Sequence, residues 1–480
     1  MPPSRRRNSE SRAFARGLVA IAAITAWRVL LLPFDRADLF VDDAQYWFWG
    51  QELAWGYYSK PPLIAWIIRA STALGSEAPF WIRLPFPLIH AATAVVLAVV
   101  ARRLYGARVG GIAGAAFATV PAVALGSLLL STDTPLLLAF ALALRAQIAL
   151  GERRSLGWAI GLGAAVGVGL LAKYAMIYFP LAALLAALVA PRARIAWRDA
   201  AVAAMVALAV VAPNLVWNVS NQLATLHHTA DNADWHGPAL NFPGLAAFLA
   251  GQFAVSGPVL FAASLAGYAR LGNPVRRYLA LMSLPVFAIV SLQALVSGAN
   301  ANWAASAHLA ALVLAVAMLL PRRRLLALGL ALNLAVSLAL PLAAVTADRW
   351  QRGDDEGNLV LDRYVGQSAL AEKAAAVARD NGLDTLVSGN RAYLAAFFYT
   401  LRASGLALYA EPVEGFPPHH YAQKHPLPPG AGDVLYVGRY PPVCRNPAIA
   451  PAEVASWQPA LGFETRVVHA WRVPRACWFP

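Results

Sequence analysis

The sequence predicts an α-helical polytopic membrane protein with a C-terminal extracytoplasmic α/β domain. Three observations favour the membrane class and its appended domain. Of the 480 residues, 59% are hydrophobic and only 13% are charged, about half the charged fraction of a soluble domain. Apolar stretches of roughly 18 or more residues, long enough to cross a bilayer, recur along the chain. From about residue 346 the composition becomes that of a soluble domain.

The net charge of +14 follows the membrane topology. Arginines cluster in the short connections between apolar stretches, the pattern that sets orientation during insertion. We therefore expect these connections to be cytoplasmic and expect no nucleic-acid partner. The clusters contain Arg5, Arg6, Arg7, Arg102, Arg103, Arg108, Arg153, Arg154, Arg192, Arg194, Arg198, Arg276, Arg277, Arg322, Arg323 and Arg324.

Eleven spans are predicted, and one orientation places every arginine cluster inside. The N-terminus resembles a signal peptide, but its apolar run over 18–32 lacks a small-residue cleavage site, so we expect an uncleaved first span. Segments 34–81, 218–242 and 346–480 then lie outside. The weakest boundary is the break at Lys173 and Tyr174, where two short spans could form one long helix. The predicted spans are 15–33, 82–101, 109–129, 132–150, 156–172, 174–190, 199–217, 243–269, 278–298, 303–320 and 325–345.

The first outer loop, 34–81, is rich in aromatic residues. Stretches 43–53 and 62–74 are predicted to be amphipathic helices in the membrane interface, where aromatic rings prefer to lie. Pro61 and Pro62 exclude a helix between them, so an extended turn is expected there. The aromatic residues are Tyr46, Trp47, Trp49, Trp55, Tyr57, Tyr58 and Trp66.

The C-terminal region predicts a small α/β domain, so the chain divides into a transmembrane domain, 1–345, and an outer domain, 346–480. Helices are expected at 366–380 and 391–402, and strands at 384–388, 406–410, 433–438 and 465–473. The region holds both cysteines of the chain, Cys444 and Cys477. In an oxidising compartment a disulfide between them is expected; the alternative is two unpaired thiols.

Two acidic residues follow the first span. Asp42 and Asp43 lie where a predicted interfacial helix begins, so one of them would serve as an ordinary helix cap. Capping needs only one carboxylate. The alternative hypothesis is that a carboxylate here acts as a general base that takes the proton of a sugar hydroxyl. Asp133 also begins a span at its outer end, where a carboxylate with Pro135 nearby is common helix-start chemistry. Position alone leaves these alternatives open.

Two lysines are unusual because the chain has thirty-five arginines and only four lysines. Lys60 and Lys173 are both predicted at the outer face, where the positive-inside bias disfavours them. A compact ammonium suits a phosphate as a point-charge partner. The alternative is that their long side chains simply reach the lipid headgroups.

Other polar residues lie at or within the span ends. His227 and His228 lack a clear carboxylate partner and make a weak metal site, and uncharged polar groups within spans often only join helices. Four glycines, Gly161, Gly163, Gly167 and Gly169, loosely resemble a dinucleotide-binding fingerprint. They lie inside an apolar span with no preceding strand, so close helix packing explains them better. The polar set contains Asn214, Trp217, Asn218, Gln252, Asn302, Trp303 and His308.

Together these residues resemble the GT-C glycosyltransferases that use lipid-linked sugars. The nearest branch contains protein mannosyltransferase-like enzymes, lipid A aminoarabinose transferases and rhizobial galacturonic acid transferases. Matching motifs appear in order over about 40–310, while the C-terminal domain matches only in position and size. The motifs are Asp-Asp-Ala-Gln-Tyr-Trp at 42–47, Gly-Tyr-Tyr-Ser-Lys-Pro-Pro-Leu at 56–63, Ser-Thr-Asp-Thr-Pro-Leu at 131–136, Leu-Ala-Lys-Tyr at 171–174, Pro-Asn-Leu-Val-Trp-Asn at 213–218, Gly-Gln at 251–252 and Ala-Asn-Trp at 301–303.

The resemblance implies roles for individual residues. Asp42 matches the catalytic acidic residue, while Asp43 replaces the glutamate common in relatives. Lys60 would hold the phosphate of a polyprenyl-phosphate sugar, and Asp133 would help place the acceptor or the base. Lys173 and Tyr174 would complete the donor pocket. The remaining substrate contacts are assigned to Tyr46, Tyr58, Trp217, Asn218, His227, Gln252, Asn302 and Trp303.

The implied reaction is a single displacement with inversion, with no certain cofactor. Some relatives carry an acidic residue before the donor lysine, linked to metal binding; here that residue is Ser59, so a divalent cation is not indicated. The expected partners are a polyprenyl-phosphate sugar donor, membrane lipids, and a lipid A, lipopolysaccharide, glycan or protein acceptor. The expected place is the bacterial inner membrane, with the active site and C-terminal domain periplasmic.

Two other functions share the many spans. A transporter or flippase for a lipid-linked or small solute would place ionisable residues near the bilayer midplane, often within repeated halves. Here they gather at one face, and no inverted repeat is evident. A scaffold with a partner-binding outer domain would not need the aspartate and lysine set.

Overall fold

A computed structural model describes residues 3–231, 233, 240–350, 361–459, 463 and 466–479, with side chains from residue 10 onward. The side chains of Arg5, Arg6 and Arg7 lie outside this part, as do the start of the predicted 465–473 strand and residues 232 and 234–239 of the predicted outer loop 218–242. The chain forms two compact units. The first contains Met1–Pro33, Lys60–Ile67 and Arg83–Leu342, and the second Phe34–Ser59, Ile68–Ile82 and Ala343–Pro480. The second unit therefore includes most of the first predicted outer loop, a grouping that the sequence did not predict.

All regular secondary structure in the described part of the first unit is helical. Short 3-10 turns at Leu32–Phe34, Tyr174–Ile177, Pro191–Ala193 and Ala301–Ala304 adjoin its helices. The helices that lie wholly or mainly in it are Pro3–Leu31, Pro85–Tyr105, Ala107–Thr119, Pro121–Leu125, Asp133–Glu152, Leu156–Ala172, Tyr178–Val189, Trp197–Ser220, Ala224–Asp231, Phe242–Ser256, Pro258–Tyr268, Pro274–Leu281, Leu284–Val296, Ala307–Leu319 and Arg323–Val345.

Six helical stretches in the described part are long and apolar enough to cross a membrane, and a bent pair would make seven. Shorter apolar helices occupy the predicted spans 156–172, 174–190 and 303–320. The predicted span 109–129 is divided between Ala107–Thr119 and Pro121–Leu125. The polytopic helical class is thus confirmed, while the count of eleven crossings stays a prediction.

The predicted span 243–269 is wrong as a single helix. It consists of Phe242–Ser256 and Pro258–Tyr268, which meet at 113°. Gly257 lies between them with a φ of +87°, where a Cβ atom would meet Asn333 Oδ1 at 1.9 Å. Only glycine adopts this backbone easily, and Pro258 cannot donate to the preceding turn, so the helix ends and restarts.

The predicted break after 172 is confirmed. Leu156–Ala172 ends, Lys173 is extended with a φ of −161°, and a 3-10 turn leads into Tyr178–Val189. The packing interpretation of the glycines is also confirmed at two positions. A Cβ on Gly163 would lie 2.4 Å from Ala203 O, and one on Gly167 would lie 2.6 Å from Val210 Cβ. The missing side chains let Leu156–Ala172 approach Trp197–Ser220 closely.

The second unit contains a five-stranded mixed sheet. The strands are β1 (Thr385–Ser388), β2 (Ala407–Ala410), β3 (Asp433–Gly438), β4 (Ala452–Trp457) and β5 (Val468–Pro474). Their order is β2-β1-β3-β5-β4; β1 pairs in parallel with β2 and β3, and β5 pairs antiparallel with β3 and β4. The predicted α/β domain is confirmed, but β4 was missed.

Helices Gln367–Asp380 and Arg391–Thr400 match the prediction, while His420–Lys424 was missed. A 3-10 turn, Asp362–Tyr364, precedes them, and another, Arg475–Cys477, follows β5. The first-loop helices are Val41–Trp49 and Leu63–Leu74, and a short helix follows at Pro79–Arg83. The stretch between Tyr57 and Pro62 has no regular structure, as predicted.

The first loop helix buries most of its aromatic side chains, and its predicted interfacial position stays a prediction. Tyr46, Trp47 and Trp49 are buried within the protein. The Trp47 ring meets that of Tyr399 edge-on at 5.0 Å, and the Phe48 ring lies 4.6 Å from that of Phe398. The helix therefore buries its aromatic side chains against Arg391–Thr400 of the same unit, because these rings gain more from burial together than each would gain alone.

Candidate active site

Three of the predicted site residues meet in the first unit. Lys173 Nζ donates to Asp133 Oδ1 at 2.7 Å, and Asn302 Nδ2 donates to Asp133 Oδ2 at 2.7 Å. Ser131 Oγ contacts the same carboxylate at 3.3 Å and accepts from the Asp133 amide at 3.1 Å. Both oxygens of Asp133 are thus occupied, and we name Asp133, Lys173 and Asn302 the lysine cluster.

Helix ends explain why these residues meet. Asp133 begins Asp133–Glu152, and Lys173 directly follows Leu156–Ala172. These successive helices are joined by Arg153, Arg154 and Ser155, so they run antiparallel and the start of one lies beside the end of the other. Asn302 lies in the turn Ala301–Ala304 before the Ala307–Leu319 helix. The side chains of Asp133 and Lys173 keep 11% and 20% of their exposure, so the pair is largely desolvated.

Gln252 holds the turn that carries Asn302. Its Nε2 donates to Ala301 O at 3.1 Å, and its Oε1 lies 2.9 Å from His308 Nε2. Gln252 is fully buried, where an amide needs partners for both its ends. Trp303, in this turn, packs against the apolar cluster that contains Phe248. Gln252 therefore positions the lysine cluster by binding the carbonyl of Ala301, the residue before Asn302.

A second polar group surrounds Tyr174. Its hydroxyl donates to Asn214 Oδ1 at 2.9 Å and accepts from Asn218 Nδ2 at 2.9 Å. Tyr174 follows Lys173 in the chain, so these amides fix the turn that carries the lysine. Trp217 is half-buried and His227 is exposed, and a role for either in substrate binding stays a prediction.

Lys60 belongs to the first unit and is half-buried. It precedes Pro61 and Pro62, and the Leu63–Leu74 helix begins directly after them. The two prolines restrict the backbone on its C-terminal side. A rigid backbone limits the positions that the lysine ammonium can reach.

Asp42 lies in the second unit and forms an ion pair that the sequence did not predict. Arg391 Nη2 donates to Asp42 Oδ1, and Arg391 Nε donates to Gln45 Oε1 at 2.8 Å. Asp42 and Gln45 are both on the Val41–Trp49 helix. Asp42 is 42% exposed and Arg391 38%, whereas Asp43 is buried. Of the two aspartates, Asp42 is the one that remains open to a substrate.

Arg391 was missed because its contact joins positions 349 residues apart. The one available signal was its place between a predicted strand and a predicted helix. Residues after parallel strands often form binding sites, but that signal does not say which partner they meet.

Two tyrosines assigned to substrate binding are buried in the second unit. The Tyr46 ring lies 5.1 Å from that of Trp49, and Tyr58 Oη donates to Pro417 O at 2.9 Å. These contacts fix the loop within its own unit. A role for either residue in substrate binding stays a prediction.

Cys444 and Cys477 are joined by a disulfide with a sequence separation of 33. Among the described residues, no group of three or more His, Cys, Asp or Glu side chains could hold a metal ion. We therefore derive no metal-dependent step.

The chain is similar to known glycosyltransferases. Residues 59–217 match the family described as dolichyl-phosphate-mannose-protein mannosyltransferase, a region that holds Lys60, Asp133 and Lys173. The lipid A galacturonosyltransferase RgtD of Rhizobium johnstonii is 40% identical over 472 residues, covering 97% of this chain and 99% of that protein.

Solved structures share the fold. The crystal structure of ArnT from Cupriavidus metallidurans bound to undecaprenyl phosphate superposes with a TM-score of 0.64 and 16% identity, covering 94% of this chain and 97% of that one. The apo form gives a TM-score of 0.62 at 17% identity, with the same coverage. The 40% identity to a galacturonosyltransferase disfavours the transporter and scaffold alternatives. The chain therefore belongs to the GT-C glycosyltransferase family that includes lipid A galacturonosyltransferases, and it is a multi-pass membrane glycosyltransferase.

Proposed function

We propose that this protein transfers galacturonic acid from a polyprenyl-phosphate carrier to lipid A at the periplasmic face of the inner membrane. The observation that carries the proposal is the 40% identity to a lipid A galacturonosyltransferase over 97% of the chain. The carrier is supported by the undecaprenyl phosphate bound to ArnT, a protein of the same fold. Lys60 adds a cation suited to a phosphate.

The proposed reaction is a single displacement at the anomeric carbon. An acceptor hydroxyl oxygen forms the new bond to this carbon, and the bond from the carbon to the phosphate oxygen breaks. The hydroxyl proton passes to Asp42, and polyprenyl phosphate leaves with the electron pair. Attack opposite the leaving group inverts the configuration. Asp42 suits the base because its carboxylate is 42% exposed, whereas neighbouring Asp43 is buried.

Two lysines have distinct proposed roles. Lys60 receives the donor phosphate, since a compact ammonium stabilises the charge that develops on the leaving group. Lys173 completes the donor pocket but shares its charge with Asp133 at 2.7 Å. Asp133 offsets part of its charge, so positioning of the pocket is its larger contribution.

The charges and the proposed donor support the proposed periplasmic orientation. The arginine clusters lie in connections predicted to be cytoplasmic, while the lysine cluster lies at helix ends away from them. Nucleotide sugars are cytoplasmic, so an outward-facing enzyme needs a sugar already carried across on a lipid phosphate. The proposed outward orientation of the active site therefore agrees with a lipid-linked donor.

The test is a transfer assay with purified protein, lipid A and a panel of polyprenyl-phosphate sugars. Wild type should release polyprenyl phosphate with the galacturonic acid donor, and Asp42→Asn should lose at least about 100-fold in rate. The matched control is Asp433→Asn, because Asp433 is 39% exposed and pairs with Arg472 at 3.8 Å in the same unit. Equal activity of Asp42→Asn and wild type would remove Asp42 as the base. Wild type that transfers only another sugar would overturn the proposed donor.

A further inference from the structure

Arg391 uses only part of its hydrogen-bonding capacity. A guanidinium carries five N–H donors, and Arg391 makes one bond to Asp42 and one to Gln45. Within the described part of the chain, Asp42 is its one ion-pair partner. With 38% of the side chain exposed, the remaining donors can reach a second anion.

The fold places Arg391 where open α/β sheets bind ligands. Strand β1 lies between β2 and β3, and the connection from β1 through Arg391–Thr400 leads to β2. The strand order therefore reverses between β1 and β3, and ligands bind outside the carboxyl ends of strands at such a point. Asn390 fixes the first turn of the helix, since its side chain accepts from the amides of Ala392 and Tyr393.

The donor in the proposed function carries a matching charge. Galacturonic acid differs from galactose by a carboxylate in place of the C6 hydroxymethyl group. An arginine binds a carboxylate through two parallel hydrogen bonds, a geometry that a lysine cannot reproduce. Without a cation between them, this carboxylate and the Asp42 carboxylate would repel each other.

We propose that Arg391 is a specificity-determining residue that binds the sugar carboxylate of a uronic acid donor while it holds Asp42. The guanidinium then lies between two carboxylates and sets the distance from the base to the sugar. The inference rests on the proposed function for its donor, and it adds the residue that tells a uronic acid from a neutral hexose. A phosphate of the lipid A acceptor could use the same donors, so the test must separate the two sources.

The experiment measures binding of two soluble analogues of the donor head group to purified full-length protein. Galacturonic acid 1-phosphate and galactose 1-phosphate share the phosphate and differ in the carboxylate. We expect wild type to bind the uronic compound about 10- to 100-fold more tightly, the range of a charged hydrogen bond. Arg391→Gln should abolish this ratio, and Arg391→Lys should keep part of it.

The control is Arg402→Gln. Arg402 is 36% exposed and pairs with Glu77 at 3.2 Å in the same unit, so its loss should leave the binding ratio unchanged. Thermal unfolding of each variant shows whether it is folded. Two results would overturn the inference: no preference in wild type, or an equal loss of both compounds in Arg391→Gln, which would indicate phosphate binding or a structural role.

The binding ratio and the transfer assay can fail separately. Wild type that prefers the uronic compound but transfers no sugar would contradict the proposed function and leave the assignment of Arg391 intact. If wild type transfers galacturonic acid and Arg391→Gln keeps the same binding preference, the proposed function stands and the assignment of Arg391 fails.

Discussion

Lys173 Nζ lies 2.7 Å from Asp133 Oδ1, although the two residues are 40 positions apart and belong to different helices. The pair is largely desolvated, so each charge depends on the other. Asn302 occupies the second carboxylate oxygen at 2.7 Å. The lysine therefore cannot move toward a phosphate without leaving Asp133, and the two residues should act as one unit.

The first prediction concerns this pair. Asp133→Asn and Lys173→Met should each lower the free energy of unfolding by about 3 kcal/mol, because each leaves a charge buried without its partner. The double variant should cost less than the two single losses together. Denaturant unfolding in detergent measures the three values.

The control pair lies at the other end of the Asp133–Glu152 helix. Arg103 pairs with Glu152, but the two side chains keep 57% and 32% of their exposure. Exposed pairs contribute about 0–1 kcal/mol, so Glu152→Gln should change stability little. Additive losses in the Asp133 and Lys173 series would show that the pair is not coupled.

The second prediction concerns Gln252, which supports the turn that carries Asn302 through Ala301 O and binds His308. Gln252→Leu should lower kcat about tenfold with a smaller change in KM. The turn that carries Asn302 loses its support, while the other residues assigned to substrate binding stay present. Stability should fall by about 1–3 kcal/mol, since two buried polar groups lose their partner.

Gln147→Leu is the control that distinguishes an effect on the position of Asn302 from a general loss of protein stability. Gln147 is also buried and joins Ala193 O to the Tyr278 hydroxyl, at 3.3 and 3.1 Å. Its loss should cost similar stability but leave kcat near the wild-type value. If both variants lose kcat equally, the effect of Gln252 is general destabilisation.

Local signals made much of the fold predictable. The helix break at Lys173 followed from a break in the apolar pattern, and four of the five strands followed from short apolar runs between turn residues. Strand β4, Ala452–Trp457, was missed because its burial alternates poorly, and its register shifts between Glu453 and Ala455.

Long-range contacts could not be predicted. The sequence proposed Asp133, Lys173 and Asn302 separately, but their meeting depends on helix packing over up to 169 positions. The aromatic residues of Val41–Trp49 fit a membrane interface or a protein core equally well by composition. In the structure Tyr46, Trp47 and Trp49 are buried within the protein, and the same helix brings Asp42 to Arg391.

The third prediction concerns the disulfide between Cys444 and Cys477. In the chain-entropy description, a crosslink across 33 residues contributes about 3–4 kcal/mol to stability. Replacing both cysteines by serine should lower the unfolding free energy of the second unit by about this amount. Tryptophan fluorescence can follow the loss, because Trp478 beside Cys477 is buried.

Reducing agent provides the control for that prediction. It should destabilise wild type toward the level of the double serine variant and leave the variant itself unchanged. An equal response of both proteins would mean that the reagent acts elsewhere.

The fourth prediction concerns acid sensitivity of the second unit. Burial lowers the pKa of His420 to about 3, and burial also lowers the pKa values of His419 and His425. The His420 ring lies edge-on to the rings of Trp49 and Phe48, at 5.6 and 5.9 Å. In the unfolded chain each histidine has an ordinary pKa near 6.5, so at lower pH the unfolded state binds more protons.

Stability should therefore be complete above about pH 6.5 and should fall as the pH drops toward the folded pKa values. Each buried histidine contributes up to about 1.4 kcal/mol per pH unit. Thermal unfolding between pH 7.5 and 5 measures the slope. His420→Phe should make the slope shallower, because an aromatic ring without a proton site keeps the contacts with Trp49 and Phe48.

His469→Gln is the control for His420. Its side chain is 30% exposed and pairs with Glu453 at 2.8 Å, so its loss should not remove the acid sensitivity that comes from burial. A slope that His420→Phe leaves unchanged would show that protonation of this ring does not limit the stability of the unit. If His469→Gln instead removes the slope, the acid sensitivity does not come from the burial of His420.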